Sequence, residues 1–84
     1  MAKILVIDDE RAIRNTLKEI LEFEGYTVEV AENGRIGLER ALSNAFDLIF
    51  TDIKMPEMDG MEFLQAYREG MAQQNSEEVP VVVI

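Results

Sequence analysis

The sequence contains no cysteine and no histidine, and basic residues are few. Without cysteine the chain has no disulfide, thiolate metal site or cysteine nucleophile, and without histidine it has no imidazole zinc site or histidine base. Eight basic residues stand against 17 acidic ones, which gives a formal net charge of −9. We therefore expect no direct binding of nucleic acid, and any chemistry must come from carboxylates, hydroxyls, lysine and arginine.

Long apolar runs are also missing. The run at residues 4–7 stops at Asp8, which is too short for a signal-peptide core or a membrane span. We therefore expect a cytoplasmic protein that does not bind membranes. The 84 residues are 48% hydrophobic and 30% charged, a composition that predicts one small globular domain over residues 1–84.

Strand and helix patterns alternate along the chain. Apolar or alternating segments at residues 4–7, 26–30, 48–50 and 81–84 are typical of strands. Helical periods separate them, with the apolar side of the first helix formed by Ile13, Leu17, Ile20 and Leu21 and its polar side by Arg14, Lys18 and Glu22. The second helix follows Asn33-Gly34, and its apolar residues are Leu38, Ala41, Leu42 and Ala45.

Capping residues predict where these helices begin and end. Asp9 is the expected N-cap of the first helix, and Gly25 its C-terminal stop. Asp59 begins the third helix with Glu62 at the spacing of a capping box, and Gly70 is expected to end the helix. The residues of the third helix expected to face the core are Met61, Leu64 and Tyr67.

The order β-α-β-α-β-α-β predicts an α/β fold with a parallel sheet, right-handed crossovers and helices on both faces. The second strand alternates and is expected near an edge. The fourth strand ends the chain on an apolar run at residues 81–84. Because a bare apolar edge invites association, we expect a chain cut short rather than a naturally minimal domain whose last strand lies at an edge. Self-association through the edge strand from Val81 to Ile84 is a further expectation.

Acidic residues follow two of the predicted strands. Asp8 and Asp9 end the first strand, and Asp52 ends the third. With a strand order of 2-1-3-4 they converge where doubly wound sheets bind ligands, and Mg²⁺ would relieve their repulsion. A carboxylate beside the cation could accept a phosphoryl group. Each residue alone has a structural reading, Asp9 as a helix cap and the others as strand ends.

Two segments carry a family resemblance. Residues 4–10, ILVIDDE, and residues 51–60, TDIKMPEMDG, resemble the receiver domain of bacterial two-component response regulators. The resemblance spans the whole chain. It implies a flavodoxin-like doubly wound fold with strand order 2-1-3-4, lacking the usual fifth strand and last two helices.

The resemblance also implies a phosphorelay role rather than an enzyme activity. A histidine kinase or phosphotransfer protein would donate a phosphoryl group to Asp52. Mg²⁺ would be bound by Asp8, Asp9, Asp52 and the backbone carbonyl of Lys54, with Asp9 as the direct ligand and Asp8 acting mainly through water. The residues of the supporting loop would be Pro56, Asp59 and Gly60, where Gly60 can take φ values that other residues resist.

The sequence departs from the family at its end. Receiver domains continue past the fourth strand to a hydroxyl residue and later a lysine that contact the phosphoryl group, so phosphorylation of this chain should be slow or absent. Three alternatives remain open. A Mg²⁺-dependent phosphohydrolase would need a second acid where Lys54 stands, and a flavin- or nucleotide-binding domain would need a glycine-rich loop where residues 8–10 lie. The third is a non-catalytic binding or oligomerising fragment.

Overall fold

The computed structural model of this protein describes residues 2–84 as a parallel sheet with helices on both faces. The elements are β1 (Lys3–Ile7), α1 (Arg11–Phe23), β2 (Thr27–Ala31), α2 (Gly34–Ser43), β3 (Leu48–Thr51), α3 (Gly60–Gln73) and β4 (Val81–Val83). The strand order is β2-β1-β3-β4, and every pairing is parallel. The predicted α/β class, the flavodoxin-like topology and the edge position of β2 are confirmed.

Strand β1 lies inside the sheet, which accounts for its unbroken apolar sequence. It pairs with β2 on one side and β3 on the other. Leu5 and Ile7 pack beneath α2 and α3 with Ile49, Phe63 and Tyr67. On the opposite face, Ile4 and Val6 form a smaller cluster with Val28, against which α1 packs. The core therefore has two unequal halves.

Helix α1 uses only part of its apolar side. Leu17 and Leu21 pack against the smaller cluster, whereas Ile13 is 43% exposed and Ile20 is 55% exposed. The expectation that all four residues share a covered face is wrong for these last two. The reason is geometric: within residues 2–84, α1 is the one helix on its face of the sheet, so nothing covers its outer flank.

Four other expectations are wrong, three about where elements begin or end and one about the core. Gly70 lies inside α3, which runs on to Gln73; a Cβ there would stand 2.7 Å from Leu42 Cδ2, so the glycine lets α2 and α3 approach. Met61 is 55% exposed rather than in the core, because it follows the helix start on the side that faces solvent. Ala45 lies beyond α2, and Tyr26 precedes β2.

The buried positions of α3 agree with expectation in part. Tyr67 is 1% exposed, and its ring stacks on Phe63 with 5.9 Å between the ring centres. Its hydroxyl accepts a hydrogen bond from the Val79 N–H at 3.0 Å, which ties the segment before β4 to α3. Among residues 2–84, no helix combines the length and apolar character that crossing a bilayer requires.

Two helical glycines allow a matched test of the packing. A Cβ at Gly37 would stand 2.7 Å from Ile7 Cγ1, and Ile7 is fully buried in β1. We expect Gly37→Ala to lower the free energy of unfolding by about 1–3 kcal/mol through overpacking. The Cβ of Gly70→Ala would meet only the movable end of half-buried Leu42. The better helix propensity of alanine, about 1 kcal/mol, offsets that contact, so we expect this variant to be about as stable as wild type.

Urea unfolding of both variants checks this prediction. Equal stability of Gly37→Ala and Gly70→Ala would contradict the close packing of α2 on β1.

Candidate functional site

The carboxyl ends of β1 and β3 lie side by side. Ile7 pairs with Thr51 as the last matched residues of the two strands. Asp52 N–H then donates to the Ile7 carbonyl at 3.0 Å, and Asp8 N–H donates to the Ala31 carbonyl at 3.2 Å. Because of this register, Asp8 and Asp52 both follow the last paired residues and lie side by side at the carboxyl end of the sheet.

Three carboxylates converge at this edge. Asp8, Asp9 and Asp52 each offer an oxygen, and these oxygens all lie within 4.8 Å of one another. The sequence predicted this grouping, and the strand order explains it, because β1 and β3 are neighbours although α1, β2 and α2 separate them in the chain. Like charges this close resist common ionisation unless a cation joins them.

Asp8 is the buried member of the group. It is 3% exposed, so the alternative of a solvated strand end is wrong for this residue. Its Oδ1 accepts from the Glu10 N–H at 2.9 Å, and its carbonyl accepts from Arg14 Nη1 at 2.7 Å. Burial raises the pKa of Asp8; the Glu10 N–H and Arg14 oppose that rise, and the charges of Asp52 and Asp9 add to it.

Asp9 is exposed and does not cap a helix. Helix α1 begins at Arg11, and its N-cap is Glu10, whose side chain makes no capping hydrogen bond. The prediction of Asp9 as N-cap is therefore wrong, because the turn closed by Asp8 places the helix start one residue later. The Asp9 carboxylate instead belongs to the acidic group.

Asp52 is half-buried, and one of its oxygens is already engaged. Its Oδ1 accepts from the Ile53 N–H at 2.8 Å. The backbone behind it is fixed as well, since the Thr51 hydroxyl donates to the Asp52 carbonyl at 3.1 Å. Asp52 Oδ2 is thus the oxygen left for a ligand.

The segment after Asp52 folds into a tight loop. The Met58 N–H donates to the Pro56 carbonyl at 2.7 Å, and the intervening Glu57 has a φ of 68°, a strained γ-turn for a residue with a side chain. Asp59 then caps α3. Its side chain accepts from the Glu62 N–H at 2.9 Å and the Glu62 side chain accepts from the Asp59 N–H at 3.3 Å, so the predicted capping box is confirmed.

Gly60 closes this loop against Asp52. Its N–H donates to the Ile53 carbonyl at 2.9 Å. A Cβ at this position would stand 2.5 Å from the Asp52 carbonyl oxygen. Gly60 does not have a positive φ, so the expectation of an unusual φ is wrong, and glycine is required by the close approach of two backbones.

An open cleft adjoins the acidic group. It has a volume of about 600 Å³ and is lined by Asp9, Ile53, Lys54, Met55, Pro56, Asp59 and Met61. The side chain of Lys54 is exposed at this cleft, two residues after Asp52.

Arg14 was missed by the sequence reasoning, which placed it on the polar side of α1. The structure brings its guanidinium to the Asp8 carbonyl. The signal available was its position, six residues after Asp8 in the first turns of the helix that follows the acidic pair.

The fold and the site together define a class of protein. The structure is a doubly wound α/β domain with an oxygen-only acidic group at the point where strand order reverses, where such folds bind ligands. Carboxylate oxygens this close suit a hard divalent cation such as Mg²⁺.

Comparison with known proteins gives the family. The response regulator receiver domain model matches residues 4–84. The response regulator MprA of Mycolicibacterium vanbaalenii is 37% identical over 82 residues, which cover 98% of this chain and 33% of MprA. The chain belongs to the receiver domain family of response regulators, and it spans about a third of the length of the curated relatives it matches.

Solved structures agree with this assignment. The chemotaxis protein CheY4 of Vibrio cholerae superposes with a TM-score of 0.86 at 37% identity, covering 99% of this chain and 67% of that one. The response regulator TrrA of Thermotoga maritima, solved with Mg²⁺ and BeF, gives a TM-score of 0.77 at 33% identity, covering 100% of this chain and 87% of that one.

The raised pKa of Asp8 makes stability depend on pH. The pKa of Asp8 in the folded chain lies above its ordinary value of 3.8, so the folded chain holds this proton more tightly than the unfolded chain does. Its contribution to stability is therefore greatest in acid and is lost as pH rises through the folded pKa. In EDTA we expect Asp8→Asn, which keeps the Oδ1 acceptor, to be more stable than wild type at pH 7, with the difference shrinking toward pH 3.

Urea unfolding across this pH range measures the difference, with Asp47→Asn at the far end of β3 as the control. A difference between Asp8→Asn and wild type that does not change with pH would contradict the prediction.

Proposed function

We propose that this chain is the phosphoacceptor portion of a receiver domain in a two-component phosphorelay. It takes a phosphoryl group onto Asp52 from a histidine kinase or phosphotransfer protein, with Mg²⁺ as the cofactor. The observation that carries the proposal is the convergence of the Asp8, Asp9 and Asp52 oxygens within 4.8 Å. The TrrA structure with Mg²⁺ and BeF supports it, because that protein is 33% identical to this chain.

Asp52 is suited to act as the nucleophile. Its Oδ1 is held by the Ile53 N–H, so Oδ2 attacks the phosphorus of a phosphohistidine. The new P–O bond forms as the P–N bond breaks, and the departing imidazole nitrogen takes the electron pair and a proton. The Thr51 hydroxyl and Gly60 contacts fix the direction of this attack by holding the Asp52 backbone.

The metal ligands in this proposal are Asp9, Asp52 and the Lys54 carbonyl, with Asp8 acting mainly through water. The burial of Asp8 suits an outer role, while exposed Asp9 suits direct ligation. When bound, Mg²⁺ neutralises charge on the transferring phosphoryl oxygens. Pro56, Asp59 and Gly60 shape the loop that carries the Lys54 carbonyl.

The cellular setting proposed for the chain follows its chemistry. A net charge of −9 disfavours nucleic acid and anionic membranes as partners, and a cytoplasmic location matches a kinase donor. The chain acts as an acceptor in this proposal and does not turn over substrate.

The alternative of a phosphohydrolase is disfavoured by exposed Lys54, which stands where a second acid would be needed. Sustained release of phosphate from a phosphate ester would favour that alternative.

Phosphoryl transfer to Asp52 is directly testable. Incubated with acetyl phosphate and Mg²⁺, the chain should slowly gain the mass of one phosphoryl group, and Asp52→Asn should gain none. Asp47→Asn is the matched control, since exposed Asp47 lies at the other end of β3 and its oxygen still accepts from the Lys3 N–H. Intact-mass spectrometry provides the measurement. Labelling that persists in Asp52→Asn or without Mg²⁺ would overturn the assignment.

Self-association is proposed through a second copy of the chain at β4. Within residues 2–84, β4 pairs with β3 alone, and Val82 and Ile84 are 38% and 53% exposed. A parallel-sheet edge of this kind presents unpaired backbone groups to another strand.

A charged side chain on β4 should prevent a second copy from pairing with this strand. We expect wild type to associate with rising concentration, more so at high salt because salt screens the repulsion between two copies of charge −9. Val82→Lys should remain monomeric in sedimentation experiments. Gln73→Lys adds the same charge at the exposed end of α3 and should associate like wild type. A wild type that is monomeric at every concentration and salt would contradict this proposal.

A further inference from the structure

We propose that Arg14 is a positioning residue for the Mg²⁺ site, one that orients the acidic pair by holding the Asp8 carbonyl. The inference rests on the proposed function, since it concerns how the same site is kept ready for the cation. It differs from the roles given above because Arg14 neither binds the metal nor touches the phosphoryl group.

Arg14 bridges the helix and the strand that flank the acidic pair. Its backbone N–H donates to the Glu10 carbonyl at 2.9 Å as part of the first turn of α1. Its side chain reaches back, and Nη1 donates to the Asp8 carbonyl at 2.7 Å. The short distance is typical of a hydrogen bond strengthened by charge. One residue thus joins the end of β1 to the start of α1.

The turn that carries the acidic pair is closed by three hydrogen bonds. The Asp8 N–H donates to the Ala31 carbonyl, and Asp8 Oδ1 accepts from the Glu10 N–H. The Asp8 carbonyl accepts from Arg14 Nη1. Asp9 stands in the middle of this turn with an exposed side chain. The backbone on either side of Asp9 sets the position from which its side chain leaves the turn, and Arg14 supplies the contact that fixes the carbonyl before it.

The choice of acceptor distinguishes Arg14 from an ordinary counter-charge. A half-buried guanidinium this close to Asp8 would gain most by ion pairing with its carboxylate. Arg14 donates to a backbone carbonyl instead, and the arginine ion pairs among residues 2–84 involve Arg35, Arg40 and Arg68. The Arg14 hydrogen bond therefore occupies no carboxylate oxygen, and the oxygens that Glu10 N–H and Ile53 N–H do not engage remain for a cation.

Charge and positioning have opposite effects on Mg²⁺ affinity, which makes the inference testable. As a nearby positive charge, Arg14 repels the cation, so removing it would tighten binding. As a positioning residue, Arg14 favours binding, so removing it would weaken binding. Loss of a contact that orients a metal ligand costs about 10–100-fold in metal affinity. The sign of the change therefore separates the two roles.

The test is calorimetric titration of the 84-residue chain with MgCl₂ alone. We expect Arg14→Met to bind Mg²⁺ about tenfold more weakly than wild type, at the low end of the effect of such contacts. Arg14→Lys keeps a donor and the charge and should recover most of the affinity. Arg11→Met is the matched control, because it removes the same charge from an exposed position in the same helix. It should bind as well as wild type or more tightly.

The possible outcomes are distinct. Equal or tighter binding by Arg14→Met overturns the role of Arg14 while leaving the metal site in place, whereas failure of wild type to bind Mg²⁺ overturns the proposed function. Urea unfolding in EDTA confirms that each variant is folded. If Arg14→Met does not fold, Arg14→Ala, which also removes the donor, takes its place, and binding by Arg14→Ala as tight as by wild type overturns the inference.

Discussion

The mutual repulsion of three carboxylates is the constraint on which the rest of the structure depends. The parallel pairing of β1 with β3 ends with Ile7 opposite Thr51, and this register forces Asp8 and Asp52 out at one edge. Their oxygens and that of Asp9 lie within 4.8 Å of one another. Such an arrangement costs free energy in the absence of a cation. The fold holds it in place through backbone contacts on every side.

Those contacts come from residues on both sides of the site, each within eight positions of the acid whose backbone it holds. The Thr51 hydroxyl and the close approach of Gly60 fix the Asp52 backbone from two directions. Arg14 fixes the backbone of Asp8 from α1. A positive φ at Glu57, which is unfavourable for a residue with a side chain, belongs to the same loop. Local strain and electrostatic repulsion are thus concentrated at the proposed phosphoacceptor site and are opposed by the buried core of β1 and β3.

Much of this arrangement could be read from the sequence. The unbroken apolar run of β1 indicates a strand covered on both faces, and acids that follow alternate strands of a doubly wound sheet predict a shared site. The capping box of Asp59 is equally legible, because its hydrogen bonds are local. These features depend on sequence periods and on neighbours within a few residues.

Other features could not be read because they depend on tertiary contacts. The period of α1 is the same whether or not its outer flank is covered, so the exposure of Ile20 was not predictable. Gly70 is a helix breaker by propensity, yet contact with Leu42 on α2 explains its place inside α3. The link from Arg14 to Asp8 depends on a side chain crossing a turn, which a helical pattern does not reveal.

The most direct measurement of the three-carboxylate site is the free energy of unfolding as a function of Mg²⁺ concentration. A ligand that binds only the folded chain stabilises it by about 2.7 kcal/mol at one hundred times its dissociation constant. Wild type should become more stable as Mg²⁺ rises, and Asp9→Asn should lose most of that gain while Asp47→Asn keeps it. A stability that does not respond to Mg²⁺, or that responds equally in Asp9→Asn, would contradict the proposed site.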